Sequence, residues 1–283
     1  MKDWIKAFRL RTLPLTFSCI IVGTALASKN GFYDSTLFIL ALSTTLFLQI
    51  LSNLANDYGD TQKGTDNENR IGPIRGVQSG TISISQIKTA IIVFVILALV
   101  SGLSLVFYAT REINFWYTTG FIVLGVLAII SAIKYTSGKG AYGYKGMGDI
   151  FVFIFFGIVG VSGTYFLFTN SFDKTILLPS ISIGLFSAAV LNLNNMRDCE
   201  NDKASGKNTL VVKVGLSSAK RYHLLIIIVG MLSSFFFIFN ENFKLINFIF
   251  LVSFIPFILH LLRVRKVTEP KHFDPELKKV ALT

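Results

Sequence analysis

The residues best equipped for chemistry lie in two polar segments, each following an apolar run. In LSNLANDYGDTQKGTDNENRIGPIRGVQSG (51–80), Asn53, Asn56 or Asp57, and Asp60 fall three and four apart. That spacing puts them on one face of a helix. Asp66 and Glu68 follow, with Arg70 and Arg75 behind them. In LNLNNMRDCENDKASGKNTLVVKVG (191–215), Asn194, Asp198 and Asp202 form a ladder along one helix face, with Glu200 to the side and Lys203 and Lys207 behind. Carboxylate and amide oxygens are hard donors suited to Mg²⁺, which keeps several waters and shares its shell with phosphate oxygens. Neighbouring Arg and Lys clamp the remaining phosphate charge. Carboxylates beside an apolar segment are costly to hold together without a counter-charge. The pattern points to one metal and diphosphate site assembled from two sides. The alternative, helix caps and surface ion pairs, accounts for one such segment more readily than for two.

The elements that must position these acids are long apolar helices. Hydrophobic residues make up 52% of the chain and charged residues 15%, against roughly 25% charged in ordinary soluble domains. Charge-free windows occur at 12–28, 36–56, 89–110, 113–133, 150–172, 175–196, 222–240 and 245–262. Each is near the ~20 residues a helix needs to cross the hydrocarbon core. A soluble bundle would need amphipathic stripes and charged outer faces, whereas these windows are apolar all round. The expected fold class is all-α: a polytopic transmembrane helical bundle with eight visible spans, one domain over 1–283.

A net charge of +11 raises nucleic acid as a partner, so the placement of the bases decides. With eight spans the polar segments alternate sides. The N-terminus, the 57–88, 134–149 and 197–221 loops and the C-terminal tail together carry 23 of the 27 Lys and Arg. The opposite side has only Lys29, Arg111, Lys174 and Lys244. So uneven a split marks the base-rich side as cytoplasmic. Both acidic segments lie on it, which implies a multi-pass protein of the cell inner (plasma) membrane with its site facing the cytoplasm. The basic balance reflects topology plus anionic lipid or substrate, and no nucleic acid is expected.

Cys19 falls in a span and Cys199 in a loop on the base-rich side, so no disulfide framework is indicated. No cleavable signal is evident, nor any zinc-type spacing or glycine-rich phosphate loop. His223, His260 and His272 are scattered and are expected at the interface or in solvent. Spans seven and eight carry little else that is polar. Pro14 suits the start of the first span, and the short Arg111–Asn114 turn implies an antiparallel hairpin. The loop TSGKGAYGYKGMGD (136–149) offers Lys139, Tyr142 and Lys145 either to an anionic ligand or merely as a connector with snorkelling lysines. FVFIFFG (151–157) is bulk facing lipid or lining for an apolar ligand. Asn53-Leu-Ala-Asn56 is echoed by Asn192-Leu-Asn-Asn195. Internal repeats often place a site at their interface, though this echo is too short to establish a duplication.

Taken together, Asn56-x-x-x-Asp60-x-x-x-x-x-Asp66 and Asp198-x-x-x-Asp202 resemble the paired Asp-rich motifs of the UbiA superfamily of intramembrane aromatic prenyltransferases. In much of that superfamily the last acid of the first motif comes four residues after the second. Here that position is Gly64 and the acid stands at Asp66. The longer spacing is similar to the menaquinone branch, the 1,4-dihydroxy-2-naphthoate polyprenyltransferases. So are NDYGD (56–60), DNENRIGPIRGVQSG (66–80), GYKGMGD (143–149) with the FVFIFFG that follows, and NNMRDCENDKASGKNTL (194–210). The resemblance covers most of Trp4 to Pro275.

It implies a helical bundle around a central cavity that opens sideways to the membrane lipid and is capped on the cytoplasmic face. It also implies Mg²⁺-dependent transfer of a polyprenyl group from a polyprenyl diphosphate to 1,4-dihydroxy-2-naphthoate, with decarboxylation, giving demethylmenaquinone. By analogy Asn56, Asp60, Asp66, Asp198 and Asp202 hold two magnesium ions, and Arg75, Lys145, Lys203 and Lys207 meet the other diphosphate oxygens. The family usually has nine spans, so a last helix beyond PELKKVALT (275–283) is expected to be missing. GKGAY (138–142) stands where menaquinone-branch relatives tend to show proline. Other acceptors, such as 4-hydroxybenzoate, homogentisate or a chlorophyll precursor, stay open. So do a non-catalytic polyprenyl-binding protein and a secondary transporter, although a transporter usually places its polar residues near the bilayer midplane on broken helices.

Overall fold

The computed structural model describes residues 2–68, 70–240 and 245–282, and each of the eight apolar windows is mostly helical, with 113–114 and 170–172 falling in connections. A short α1 (Lys2–Phe8) leads through a 3₁₀ turn into α2 (Leu13–Lys29), with Pro14 in its first turn. There follow α3 (Ser35–Gln62), α4 (Ile84–Thr110), α5 (Phe115–Lys134) and α6 (Gly148–Thr169). Then come α7 (Leu177–Ala204), α8 (Leu216–Asn240), α9 (Phe254–Lys266) and the short α10 (Phe273–Leu282). A 3₁₀ segment, Leu245–Ser253, precedes α9. Seven of the described helical segments are long and apolar enough to cross a membrane, and α2 is a shorter apolar helix of 17 residues, about 25 Å at helical rise. The chain is a multi-pass membrane protein.

Local chemistry starts these helices where the sequence turns polar. Asp34 accepts from the Leu37 N–H to cap α3. Ser83 and Gln86 form a reciprocal box at the start of α4, which satisfies two backbone donors at once. Asn114 caps α5. The α4–α5 connection is the tight antiparallel turn anticipated, with Thr110 and Thr118 hydroxyls 2.8 Å apart across it.

The most buried helix is α7, which packs on α6 and α8 and carries the second acidic segment at its end. Close approach to α6 needs small residues: a Cβ added to Gly157 would stand 2.5 Å from the Ser180 carbonyl oxygen. Without a hydrophobic drive between helices in lipid, such backbone contact is what packing depends on. Between Phe153 and Gly163, α6 widens into a π-helix, which turns Phe155, Phe156, Val159 and Gly160 toward the interior.

The ends of the bundle sort as the charges suggested. Contacts among Arg9, Asp57, Arg75, Tyr144, Lys207, Arg197 and Asp274 gather the N-terminal segment, three loops and the C-terminal segment at one end. At the other, Asn30 donates to the Tyr165 hydroxyl and Tyr108 to Asp34. Lys244 lies outside the described residues.

Two expectations are corrected. His223 and His260, expected at the interface or in solvent, are 0% and 1% exposed. They face each other across α8 and α9 with Nε2 atoms 2.8 Å apart, and His260 Nδ1 is 2.8 Å from Glu276 Oε2 on α10. Helix packing, which periodicity does not reveal, turned two scattered residues into a buried polar chain; His272 remains exposed. The internal echo also shifts register. The helix ends match when Asp60 is paired with Asp202 and Gly64 with Gly206, which pairs Asn53 with Asn195 and not with Asn192.

Candidate active site

Both acidic segments sit where a helix ends, and both helices end the same way. After Gln62, Gly64 turns left-handed (φ 70°), the Thr65 N–H donates to the Asp60 carbonyl and the Gly64 N–H to that of Thr61. After Ala204, Gly206 does likewise (φ 71°), the Lys207 N–H donating to Asp202 and the Gly206 N–H to Lys203. This cap closes the last turn and needs a residue free of the Cβ penalty. It also reverses the chain, so Thr65 and Lys207 fold back beside the acids they follow. Asn201 Nδ2 then donates to the Thr65 carbonyl at 2.8 Å, joining one cap to the other.

The side chains form one alternating charge network. Arg75, on the 63–83 loop, lies 3.3 Å from Asp57, 3.0 Å from Asp60 and 2.8 Å from Asp66. Lys207 Nζ is 3.3 Å from Asp60 and 3.9 Å from Asp202, so it bridges the two halves. Arg197 donates to both oxygens of Asp198, at 2.9 and 2.7 Å. Tyr144 donates to Asp60 at 2.9 Å, and Arg9 to Asp57. Such charges are tolerated under an apolar bundle because each faces an opposite one.

Burial and neighbours shift the loop groups in ways that follow from this network. Burial raises the Asp66 carboxyl above its usual range, and Arg75 only partly offsets it. Burial works against the Arg75 charge, but Asp57, Asp60 and Asp66 around it raise its pKa nonetheless. Arg70 is pushed down to about 10 by burial and by the like charge of Arg75. The Tyr144 hydroxyl is raised by burial and by the Asp60 carboxylate, so it stays a donor.

These residues form the floor of a cavity of about 710 Å³. Asn56, Asp57, Asp60, Arg70, Arg75, Arg197, Asp198, Asp202 and Lys207 line its polar end. Leu48, Phe121, Tyr142, Phe151, Phe155, Phe156 and Leu167 line the rest. Tyr142 and Phe151 stack with ring centroids 3.9 Å apart. Leu99, Leu103 and Val126 line the cavity and are also exposed on α4 and α5, so it opens sideways. A polar floor under an apolar, laterally open cavity suits an amphiphile with an anionic head.

Of the residues singled out in the sequence, Asn56, Asp60, Arg75, Asp198, Asp202 and Lys207 line this one cavity. Asp66 stands just behind the floor, held by Arg75 and Arg70. Lys145 and Lys203 are not brought in. Both are exposed and neither lines the cavity. Lys203 follows Asp202 directly on the helix, which aims it about 100° away. Lys145 ends an outward 3₁₀ turn, where its carbonyl accepts from Lys213.

Sequence reasoning passed over Arg9, Tyr144, Arg197 and Asp274. Arg197 carried a usable signal: an arginine where a helix leaves its apolar run needs a partner, and Asp198 is adjacent. Tyr144 lies two residues from Tyr142 in a loop already marked as close to the site. The partnerships of Arg9 and Asp274 are purely tertiary.

For a divalent cation the donor set is suitable: carboxylates plus Asn56, whose Oδ1 is buried without a hydrogen-bond partner. Among the described residues no three acidic, His or Cys side chains converge as a ready-made metal cluster. Arg75, Lys207 and Arg197 hold the carboxylates instead. The residues fit Mg²⁺ in kind, and the bases set their spacing.

Fold and site together define an integral-membrane protein with a charged floor at its helix ends under an apolar cavity among the spans. Residues 16–278 match the UbiA prenyltransferase family, and the chain belongs to that family. It is 49% identical over 220 residues to the 1,4-dihydroxy-2-naphthoate octaprenyltransferase of Escherichia coli, covering 78% of this chain and 71% of that one. It is 41% identical over 285 residues to the protein of the same name from Haemophilus influenzae, covering 100% and 92%. The fold is similar to that of a UbiA homolog from Archaeoglobus fulgidus solved with GPP and Mg²⁺: TM-score 0.67 at 14% identity, covering 99% of this chain and 96% of that one. A UbiA homolog from Aeropyrum pernix gives the same TM-score and identity over 96% and 94%.

Proposed function

We propose that the chain transfers a polyprenyl group from a polyprenyl diphosphate to 1,4-dihydroxy-2-naphthoate, with loss of the ring carboxylate as carbon dioxide. The observation that carries this is the interleaving of Arg75 and Lys207 with Asp60, Asp66 and Asp202 at the polar end of an apolar cavity. The naphthoate acceptor rests on the relatives at 41–49% identity, which are named for that reaction.

Asn56, Asp60, Asp66, Asp198 and Asp202 are the residues that would hold Mg²⁺. Bound there, the metal supplies charge to stabilise the departing diphosphate. Arg75 and Lys207 meet the remaining phosphate oxygens and balance the negative charge that grows as the carbon–oxygen bond breaks. The electron pair of that bond leaves with the diphosphate. The allylic carbon is then taken by the electron-rich ring, and departure of carbon dioxide returns an electron pair to it. Tyr142, Phe151 and Phe155 line the cavity and keep water from the cation. The clustering of the base-rich segments around the site supports a cytoplasmic face in the cell membrane.

The test is to incubate the purified protein with Mg²⁺, a polyprenyl diphosphate and each of 1,4-dihydroxy-2-naphthoate, 4-hydroxybenzoate and homogentisate, with and without chelator. Chelator-sensitive product with the naphthoate alone is expected. Product with another acceptor overturns the acceptor, and turnover without metal overturns the site.

A further inference from the structure

We infer that Asp274 on α10 is a positioning residue for Asp198, acting through Arg197 to set how strongly Asp198 holds a divalent cation. The inference rests on Asp198 being a metal ligand, as proposed above.

Arg197 is more deeply buried than Arg75 or Lys207, at 1% exposed. Its Nε and Nη2 go to the two oxygens of Asp198, and Nη2 also donates to Asn194 Oδ1 at 2.8 Å. The third nitrogen, Nη1, donates to Asp274 Oδ1 at 2.8 Å, across 77 residues of sequence. Asp274 does not line the cavity. Its other oxygen is 3.2 Å from Lys278. One guanidinium therefore serves two carboxylates, and the planar fork fixes the angle at which Asp198 presents its remaining lone pairs.

Without Asp274 the whole charge of Arg197 would rest on Asp198, and a carboxylate so neutralised is a poorer donor to a cation. The fork would also lose the contact that stops it rotating. Partners that orient a ligating carboxylate commonly govern metal affinity in this way.

The helix that carries Asp274 has other anchors. Phe273 and Val280 are buried in the core with α7 and α8 residues. Glu276 accepts from Arg263 at 2.8 Å and from Lys279 at 2.6 Å, beside His260. A change at Asp274 alone therefore leaves α10 docked, and a change at Glu276 loosens α10 without touching Arg197. The two positions separate positioning from simple buttressing.

The experiment uses the full chain in detergent and three variants, Asp274→Asn, Asp274→Glu and Glu276→Gln. Mn²⁺ binding is followed by electron paramagnetic resonance, the Mg²⁺ dependence of prenyl transfer by product formation, and folding by melting temperature. Asp274→Asn is expected to weaken Mn²⁺ binding and raise the half-saturating Mg²⁺ concentration about tenfold or more, while turnover at saturating Mg²⁺ is retained. Asp274→Glu, which keeps the charge, is expected to bind Mn²⁺ as the unaltered protein does. Glu276→Gln should lower the melting temperature and leave Mn²⁺ affinity unchanged. Unchanged Mn²⁺ affinity in Asp274→Asn overturns the inference, as does an equal loss in Glu276→Gln or in Asp274→Glu. If the unaltered protein neither binds Mn²⁺ nor needs Mg²⁺, the metal site itself fails and this inference falls with it. That result is distinct from failure of the variants alone.

Discussion

Lys207 Nζ lies 3.3 Å from Asp60 Oδ2, a contact between helix ends 147 residues apart in the chain. Through this ion pair the second acidic segment reaches an acid of the first. Lys207→Met is therefore expected to cost about 10²–10³-fold in turnover, the scale of losing one group that stabilises developing charge. Lys207→Arg should recover part of it. Steady-state prenyl transfer with both variants checks this, and full activity of Lys207→Met would contradict it.

Asp60 and Asp198 come from different helices and line one cavity. Asp60→Ala and Asp198→Ala should each abolish turnover while the protein still inserts in the membrane. Chelation of the unaltered protein should do the same, reversed by added Mg²⁺. Membrane fractionation beside the transfer assay separates loss of chemistry from loss of protein.

The end of α3 is pressed onto the end of α5. A Cβ on Gly59 would lie 2.6 Å from Thr136 Oγ1 and 2.7–2.8 Å from the Thr136 backbone carbonyl. A hydroxyl could swing away, but the backbone could not. Gly59→Ala should destabilise by about 1–3 kcal/mol, the usual cost of overpacking. Thermal unfolding in detergent reads the effect directly.

Glu276 supplies a pH test away from the site. Burial pushes its carboxyl up, but hydrogen bonds from Arg263, Lys279 and His260 outweigh this and hold it at about 2, below the ordinary 4.5. A carboxyl depressed in the fold contributes stability that is complete above its unfolded value and is lost as pH falls toward the folded one. The melting-temperature gap between the unaltered protein and Glu276→Gln should thus be full at pH 7, narrow below about 4.5 and close near 2. A gap independent of pH would show that Glu276 acts by shape alone.

Much of this architecture was legible in the order of residues. Long uncharged windows announce the spans because lipid leaves the backbone no partner but itself. Bases on alternate loops mark the segments that gather at one end of the bundle. Asp60, Asp198 and Asp202 were legible as a set because their spacing follows helix geometry, whereas Asp66 lies on the loop that follows α3. What stayed hidden depends on which helices become neighbours. Arg197 meets Asp274, and His223 meets His260, only through packing that no single-chain periodicity encodes. Lys203 and Lys207 look equivalent in the sequence. The left-handed turn at Gly206 separates them, leaving Lys203 exposed and burying Lys207 beside the acids. Spacing alone could have disfavoured Lys203, since a residue adjacent to a ligand on a helix points elsewhere.

The matching glycine turns after α3 and α7 make the two halves of the site alike in main chain and unlike in decoration. At equivalent points one offers the Thr65 hydroxyl and the other the Lys207 ammonium. Whatever tells one end of a bound pyrophosphate from the other must therefore be written in side chains such as these. The two turns share one backbone, and a handful of substituents sets them apart.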